Sequence, residues 1–217
     1  YSDLAFILSA EIIESLTDST IDKFAPQNIY RPIGAFNITY NPLDKYPKER
    51  IVPTEYDSLF RKQLLRGTVH DEGAAMLGGV SGHAGLFATG NDLLKLFEMY
   101  RRGGEYGGVR VLSQEVLKEY TRVQYPENEN RRGLGFDKPM LPNDTIPAEE
   151  IYPCPSASPS SYGHSGFTGT FVWVDPDAEL TYVFLSNRVY PTRNNSKLSD
   201  LSIRGHILQA AYDAIIK

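Results

Sequence analysis

The stretch "YGHSGFTGTFVWVDPDAELTYVFLSN", Tyr162 to Asn187, holds two runs rich in β-branched and aromatic residues, TGTFVWVD and LTYVFLSN, on either side of PDAE. Such runs favour pleated, half-buried backbone, and the short proline-led turn between them predicts an antiparallel hairpin. Ahead of it, Gly163, Gly166 and Gly169 are spaced among His164, Ser165 and Thr168, so another segment can approach this backbone closely. A lone hairpin is marginal in water. The pattern therefore predicts a larger sheet, with further strands from an absent segment or a partner chain.

Working outward, the chain ends in a helical pattern from about Leu198 to Ile216, through Ile203, Ile207, Leu208 and Ala211. Residues 124 to 162 are rich in Pro, Asn, Ser and Gly, with a short strand predicted at Gly133 to Asp137. Earlier segments read as helices. Leu4, Ile7, Leu8, Ile12 and Leu16 recur at three- and four-residue steps, the stripe of a helix packed on one face. A shorter helix follows from Ile21 to about Ile29, then a long surface excursion from Asn37 to Pro53.

Thr54 reads as the N-cap of a helix through Leu59, Phe60 and Leu64 that stops at Gly67. Thr89 with Asp92 starts another that ends at Gly103, and Ser113 caps one from Gln114 to about Thr121. Helices first, then a hairpin and a covering helix, define an α+β chain. It reads as one domain, 1–217, with a helical region to about 122 and a loop and sheet region from about 123.

The 217 residues are 41% apolar and 12% aromatic, enough to fill a core. A net charge of -5 and the lack of a basic run argue against nucleic acid or an anionic membrane surface as partner. Cys154 is the single cysteine, so no internal disulfide forms. No apolar run approaches the roughly 18 residues of a membrane span. The chain opens at Tyr1 and runs almost at once into a helical pattern, which suggests a piece of a longer protein.

Three kinds of chemistry can be weighed on the residues. Gly163-His164-Ser165-Gly166-Phe167 lacks the last glycine of a G-x-S-x-G elbow and precedes a strand rather than a helix, so Ser165 is not read as a nucleophile. Ser81 in GGVSGHAG fails the same pattern because His83 takes the second glycine's place. The glycine-rich run has no lysine and lacks the order of a phosphate-binding loop. His70, Asp71, Glu72 and His83 match no zinc spacing. No metal or organic cofactor is expected.

Tyr1-Ser2-Asp3 at the head of a helix and His164-Ser165-Gly166 at the head of a strand together resemble the Y-x-N and K-T-G or H-[ST]-G motifs of the serine penicillin-recognising family. GGVSGHAGLFATGNDLLKLFEMYRRGG and VFLSNRVYPT are similar to stretches of its class C β-lactamase-like branch, which includes D-alanyl-D-alanine carboxypeptidases and esterases. The resemblance covers almost the whole chain. It is especially close to the module that follows family 3 glycoside hydrolase domains in some bacterial proteins.

The resemblance implies an incomplete β-lactamase/penicillin-binding-protein-like fold and a serine hydrolase. The family's nucleophile lies in an S-x-x-K motif upstream of the tyrosine; no serine here precedes a lysine by three residues, and Ser58 with Arg61 comes nearest. The chain alone is therefore expected to be inactive. By the same resemblance, Tyr1 and Asp3 stand at the second motif and His164 and Ser165 at the third. The N–H of Phe167, after Gly166, would be one oxyanion donor, and Thr192 takes the asparagine's place in the class C YPN triplet.

Asp3 for asparagine turns an amide donor into an acceptor, and His164 for lysine exchanges an ammonium for an imidazole. With Thr192, these changes favour a peptidase or esterase over an efficient β-lactamase. The implied ligand is a small-molecule or peptidoglycan-derived substrate, and the implied location is periplasmic or otherwise extracytoplasmic. The alternative is a non-catalytic module that keeps the pocket to bind such a ligand. Association through an exposed sheet edge, or with a missing N-terminal segment, is a further expectation.

Overall fold

A side chain on residue 163 would collide with the neighbouring strand: an ideal Cβ there would sit 2.1 Å from the Val172 carbonyl oxygen and 2.4 Å from Trp173 Cε3. Glycine removes that obstacle, and a strand forms where only a glycine-rich lead to the hairpin was expected. The computed structural model describes residues 2–128, 130–140, 146–147 and 151–215. In chain order its main elements are α1 (Asp3–Thr17), α2 (Ile21–Ala25), β1 (Glu55–Asp57), β2 (Gln63–Leu65), α3 (Glu72–Met76) and α4 (Gly90–Arg101). There follow β3 (Glu105–Tyr106), β4 (Val109–Arg110), α5 (Gln114–Thr121), β5 (Tyr162–Ser165), β6 (Phe171–Asp175), β7 (Leu180–Phe184), α6 (Lys197–Asp200) and α7 (Ile203–Asp213). This is an α+β fold.

The chain divides into two compact units. The first comprises 1–93 and 187–195, the second 94–186 and 196–217, with the boundary inside α4.

In the second unit β5, β6 and β7 form an antiparallel sheet in that order, with Gly163 opposite Trp173 and Trp173 opposite Tyr182. The expected hairpin is β6–β7, closed by Asp175 opposite Leu180. Alternation puts Phe171 and Trp173 on one face, where they form a buried cluster with Cys154, Leu208 and Tyr212. So α7 covers the sheet, as its apolar pattern predicts. The terminal helix comes in two pieces because Ser202 takes a left-handed φ of 47° between α6 and α7. The strand expected at Gly133 to Asp137 is reduced to one bridge, Asp137 to Gly163.

Asp175 closes the end of β6. Its carboxylate is fully buried and accepts hydrogen bonds from Ser158 N and Oγ, Asp177 N, Ala178 N and the Tyr212 hydroxyl at 2.6 to 3.1 Å. One side chain thereby ties the hairpin turn, the 158 loop and α7 together.

The first unit corrects three expectations. Instead of a helix through Leu59 to Leu64, β1 and β2 form a hairpin with Tyr56 opposite Leu64. Asp57 decides this: buried, it takes the N–H groups of Leu59, Phe60 and Arg61 and the Arg61 Nε, at 2.9 to 3.0 Å, so it caps a turn rather than a helix. On α1 the inward positions are Ala10, Ile7 and Ile13, while Leu4, Leu8, Ile12 and Leu16 are exposed by 58 to 81%. Of the expected stripe only Ile7 turns inward; the other four residues face outward. The excursion after Asn37 is partly internal, with Ile38, Thr39, Tyr40 and Pro42 buried and Thr39 bridged to Phe87. The predicted starts of α4 and α5 agree with the structure, and Ser113 Oγ accepts from Val116 N at 3.2 Å.

Candidate active site

In the second unit, the C-terminal end of β5 carries His164 and Ser165, both half-buried. The imidazole Nδ1 lies 2.9 Å from the Ser165 carbonyl oxygen, so as a donor Nδ1–H it leaves Nε2 as the nitrogen aimed elsewhere. The chain then turns sharply. Gly166 N donates to Thr170 O at 2.8 Å and Gly169 N to Gly166 O at 3.1 Å, with Gly169 at φ 123°. An ideal Cβ on Gly166 would sit 2.2 Å from Thr170 Oγ1, so a larger residue here would have to displace the Thr170 side chain. Phe167, at the tip, exposes 59% of its surface. Ser186 Oγ and Arg204 Nη2 brace the turn, donating to the carbonyls of Gly169 (2.8 Å) and Gly166 (2.9 Å).

The other sequence-predicted residues belong to the first unit. Tyr1 lies outside the described residues. Asp3 is an exposed residue in the first turn of α1. Thr192 is exposed in the loop 187–195, whose Tyr190–Pro191 peptide is cis. Two contacts seat that loop on β1 and the residues before it: Tyr56 N donates to Pro191 O at 2.9 Å, and the Asn187 side-chain Nδ2 donates to Pro53 O.

Beside Thr192 sits a charged cluster that sequence reading missed. The buried Glu55 accepts from Arg193 N at 2.7 Å and from Arg193 Nε at 2.8 Å, and contacts His70 Nε2 at 2.7 Å. Arg193 Nη2 reaches Glu72 at 2.8 Å. Burial alone would raise the Glu55 carboxyl, but the Arg193 side chain and N–H outweigh it and hold the group below its usual value. Glu55 and Arg193 lie 138 residues apart, and no local motif signals their meeting.

A second cluster gives Ser81, His83 and Asp71 a place. Ser81 Oγ is 2.9 Å from His83 Nδ1, and His83 Nε2 is 2.8 Å from Asp71 Oδ1. Asp71 is also the N-cap of α3, accepting from Ala74 N. Burial would raise its carboxyl; the Ala74 N–H and the His83 ring prevail and lower it. The order serine, histidine, carboxylate is that of a hydrolytic triad, yet Ser81 is only 5% exposed, and so is no better placed to meet a substrate than its failed elbow motif suggests. The chain pins the glycine-rich loop, where Tyr40 Oη donates to Ser81 O at 3.1 Å and an ideal Cβ on Gly82 would sit 2.0 Å from the Phe6 carbonyl of α1. Among the described residues, no group of three or more His, Cys, Asp or Glu side chains could hold a metal ion, and no helix is long and apolar enough to cross a membrane.

Comparison with known proteins supplies the class. The Beta-lactamase family model matches residues 1–203, and the chain belongs to that family. A protein of Escherichia coli (strain K12) named "Putative D-alanyl-D-alanine carboxypeptidase" is 33% identical over 234 residues, spanning 100% of this chain and 51% of the relative. A Salmonella paratyphi B protein of the same name is also 33% identical. The chain thus spans about half the length of the curated relatives it matches. Among solved structures, a Mycobacterium bovis β-lactamase aligns with TM-score 0.59 at 19% identity, covering 98% of this chain and 64% of that one. A penicillin-binding protein homologue from Caulobacter crescentus gives 0.58 at 18%, covering 94% and 56%. These likenesses establish a β-lactamase/penicillin-binding-protein-like fold, and the resemblance drawn from the two triplets is borne out at the level of family.

Proposed function

We propose that this chain is part of a serine hydrolase that transfers an acyl group through a serine ester, acting on the D-alanyl end of peptide or peptidoglycan-derived substrates outside the cytoplasm. The observation that carries the reading is the end of β5: His164 and Ser165 leave the sheet together and the chain turns at once through Gly166, presenting Phe167. Relatives named carboxypeptidases support the substrate class.

In this mechanism a serine on another segment attacks the scissile carbonyl, and Tyr1 receives its proton. A phenol near pKa 10 does so only beside cations or donors that favour the phenolate. His164 and Ser165 donate to the substrate's carboxylate end. The Phe167 N–H, with one from the nucleophile, receives the charge that develops on the carbonyl oxygen. Loss of one such donor costs roughly 3 kcal/mol of transition-state stabilisation, about a hundredfold in rate; the inactivity expected of the 217 residues alone follows from their having no S-x-x-K serine. Among the described residues β7 is the last strand of its sheet, and its outer edge is where additional chain or a second copy adds a strand.

The test uses the full-length protein with p-nitrophenyl acetate, nitrocefin and a D-alanyl-D-alanine peptide. Turnover of ester or peptide, an acyl adduct by intact mass, and a loss of at least 100-fold in kcat/KM for His164→Ala are expected. A full-length protein that binds the peptide but forms no adduct and turns over none of the three is a binding module, and the hydrolase reading fails.

A further inference from the structure

The bond from Arg204 to Gly166 has a meaning beyond joining helix to strand. The carbonyl it grips and the N–H of Phe167 belong to one peptide unit, which is planar and trans, so the C=O and N–H bonds point in opposite directions in a shared plane and their dipoles add. Whatever fixes the Gly166 oxygen fixes where the Phe167 N–H points. Two donors fix it: Arg204 Nη2 at 2.9 Å and Gly169 N at 3.1 Å. The guanidinium carries a permanent charge, so its hydrogen bond is charge-assisted and draws electron density toward the oxygen, leaving the N–H on the same amide a stronger donor.

The fold holds Arg204 firmly. It lies in the first turn of α7, and the next residue, Gly205, lets that turn press against another segment: an ideal Cβ there would be 2.4 Å from the Pro153 carbonyl oxygen. One helical turn on, Leu208 is fully buried under Phe171 and Trp173, so α7 has no freedom to carry the guanidinium away from the β5 end. On the far side of the same turn, Ser186 Oγ holds the Gly169 carbonyl, which steadies the second donor.

We propose that Arg204 is a positioning residue for the oxyanion donor: it orients and polarises the 166–167 peptide so that the Phe167 N–H meets the developing oxyanion. The proposal rests on the hydrolase reading above and adds to it a residue 38 positions from the motif it serves.

The experiment compares Arg204→Met, Arg204→Gln and Arg204→Lys in the full-length protein. With p-nitrophenyl acetate, Arg204→Met is expected to lose about tenfold in kcat at unchanged KM, short of the 10²- to 10³-fold that follows removal of a donor outright. Phenylboronic acid, a transition-state mimic, should weaken by the same factor, and Arg204→Lys should recover most of both. The Gly166 carbonyl ¹³C and Phe167 amide ¹H resonances should move upfield in the Met and Gln variants, a readout independent of turnover. If Arg204→Met does not fold, the Gln and Lys variants carry the comparison. An active protein in which folded Arg204 variants keep kcat and boronate affinity within twofold overturns the proposal while leaving the hydrolase reading intact. A wild-type protein without turnover or acyl adduct overturns both.

Discussion

Replacing Asp175 with asparagine keeps the shape of the side chain and removes its charge, so the change isolates what the buried carboxylate does. One oxygen receives Ser158 Oγ, Asp177 N and Ala178 N; the other receives Ser158 N and Tyr212 Oη. The best asparagine rotamer keeps its carbonyl toward the first three and points its NH₂ at the Ser158 N–H, donor against donor. A buried donor left unmet costs about 1–3 kcal/mol, and the remaining bonds lose their charge assistance, so the substitution should cost about 3 kcal/mol. For a chain of this size that corresponds to a fall in Tm of about 6–12 °C.

Trp173, the single tryptophan, is fully buried on the same strand two residues away, so its fluorescence reports the melting of this unit. The sign with pH is fixed as well. Burial alone would raise the Asp175 carboxyl, but the Ser158 and Tyr212 hydroxyls and the Ser158 N–H prevail and lower it. Its contribution is complete above the unfolded value near 3.9 and is lost as the pH falls through the lower folded value. The gap between parent and Asp175→Asn should therefore close in acid. A variant melting within 2 °C of the parent at pH 7 would refute the assignment of Asp175 as the tie between hairpin and α7.

Glu98 is held down to about 2, first by Arg101, then by Arg102 and Thr181 against the cost of burial. Its contribution, about 1 kcal/mol after allowing for screening by solvent, is present above pH 4.5 and fades as pH falls toward 2, so Glu98→Gln should differ from the parent at neutrality and match it in strong acid, as read by urea unfolding. Gly163→Ala should cost more than about 3 kcal/mol, because the new methyl meets the Val172 carbonyl and the Trp173 ring; a melting curve unchanged from the parent would contradict the close strand approach. Glu55→Gln should speed amide hydrogen exchange across 187–195 by at least tenfold while β6 stays protected, since Arg193 loses the buried one of its two carboxylate partners. A fluorophosphonate probe should leave Ser81 and Ser165 of the 217-residue chain unlabelled, and a labelled peptide containing either would reverse that reading.

The sequence displayed the parts of this fold whose signals are local. The β6–β7 hairpin, the capped starts of α4 and α5 and the covering α7 all follow from periodicity, a turn or a capping side chain within a few residues. The failures share a cause. Asp57 looks like a helix-capping spacing partner of Thr54, and only the three N–H groups it gathers show it to be a turn. The α1 stripe has the period of a buried face, but periodicity states which residues lie together, not what lies against them. In the candidate site, the triplet around His164 was legible as a motif. Arg204, Arg193 and Glu55 were not, because their partners are 38 to 138 residues away and charged residues in isolation read as solvated surface.

The outward ridge of Leu4, Leu8, Ile12 and Leu16 sets terms for handling the protein at the bench. Aliphatic groups in file along one helix are driven together more strongly by sulfate and phosphate and less by chaotropes, so the buffer will decide how much of a preparation stays monodisperse. For the 217-residue chain, an apparent dimer in ammonium sulfate should be weighed against scattering at low salt before it is assigned to biology.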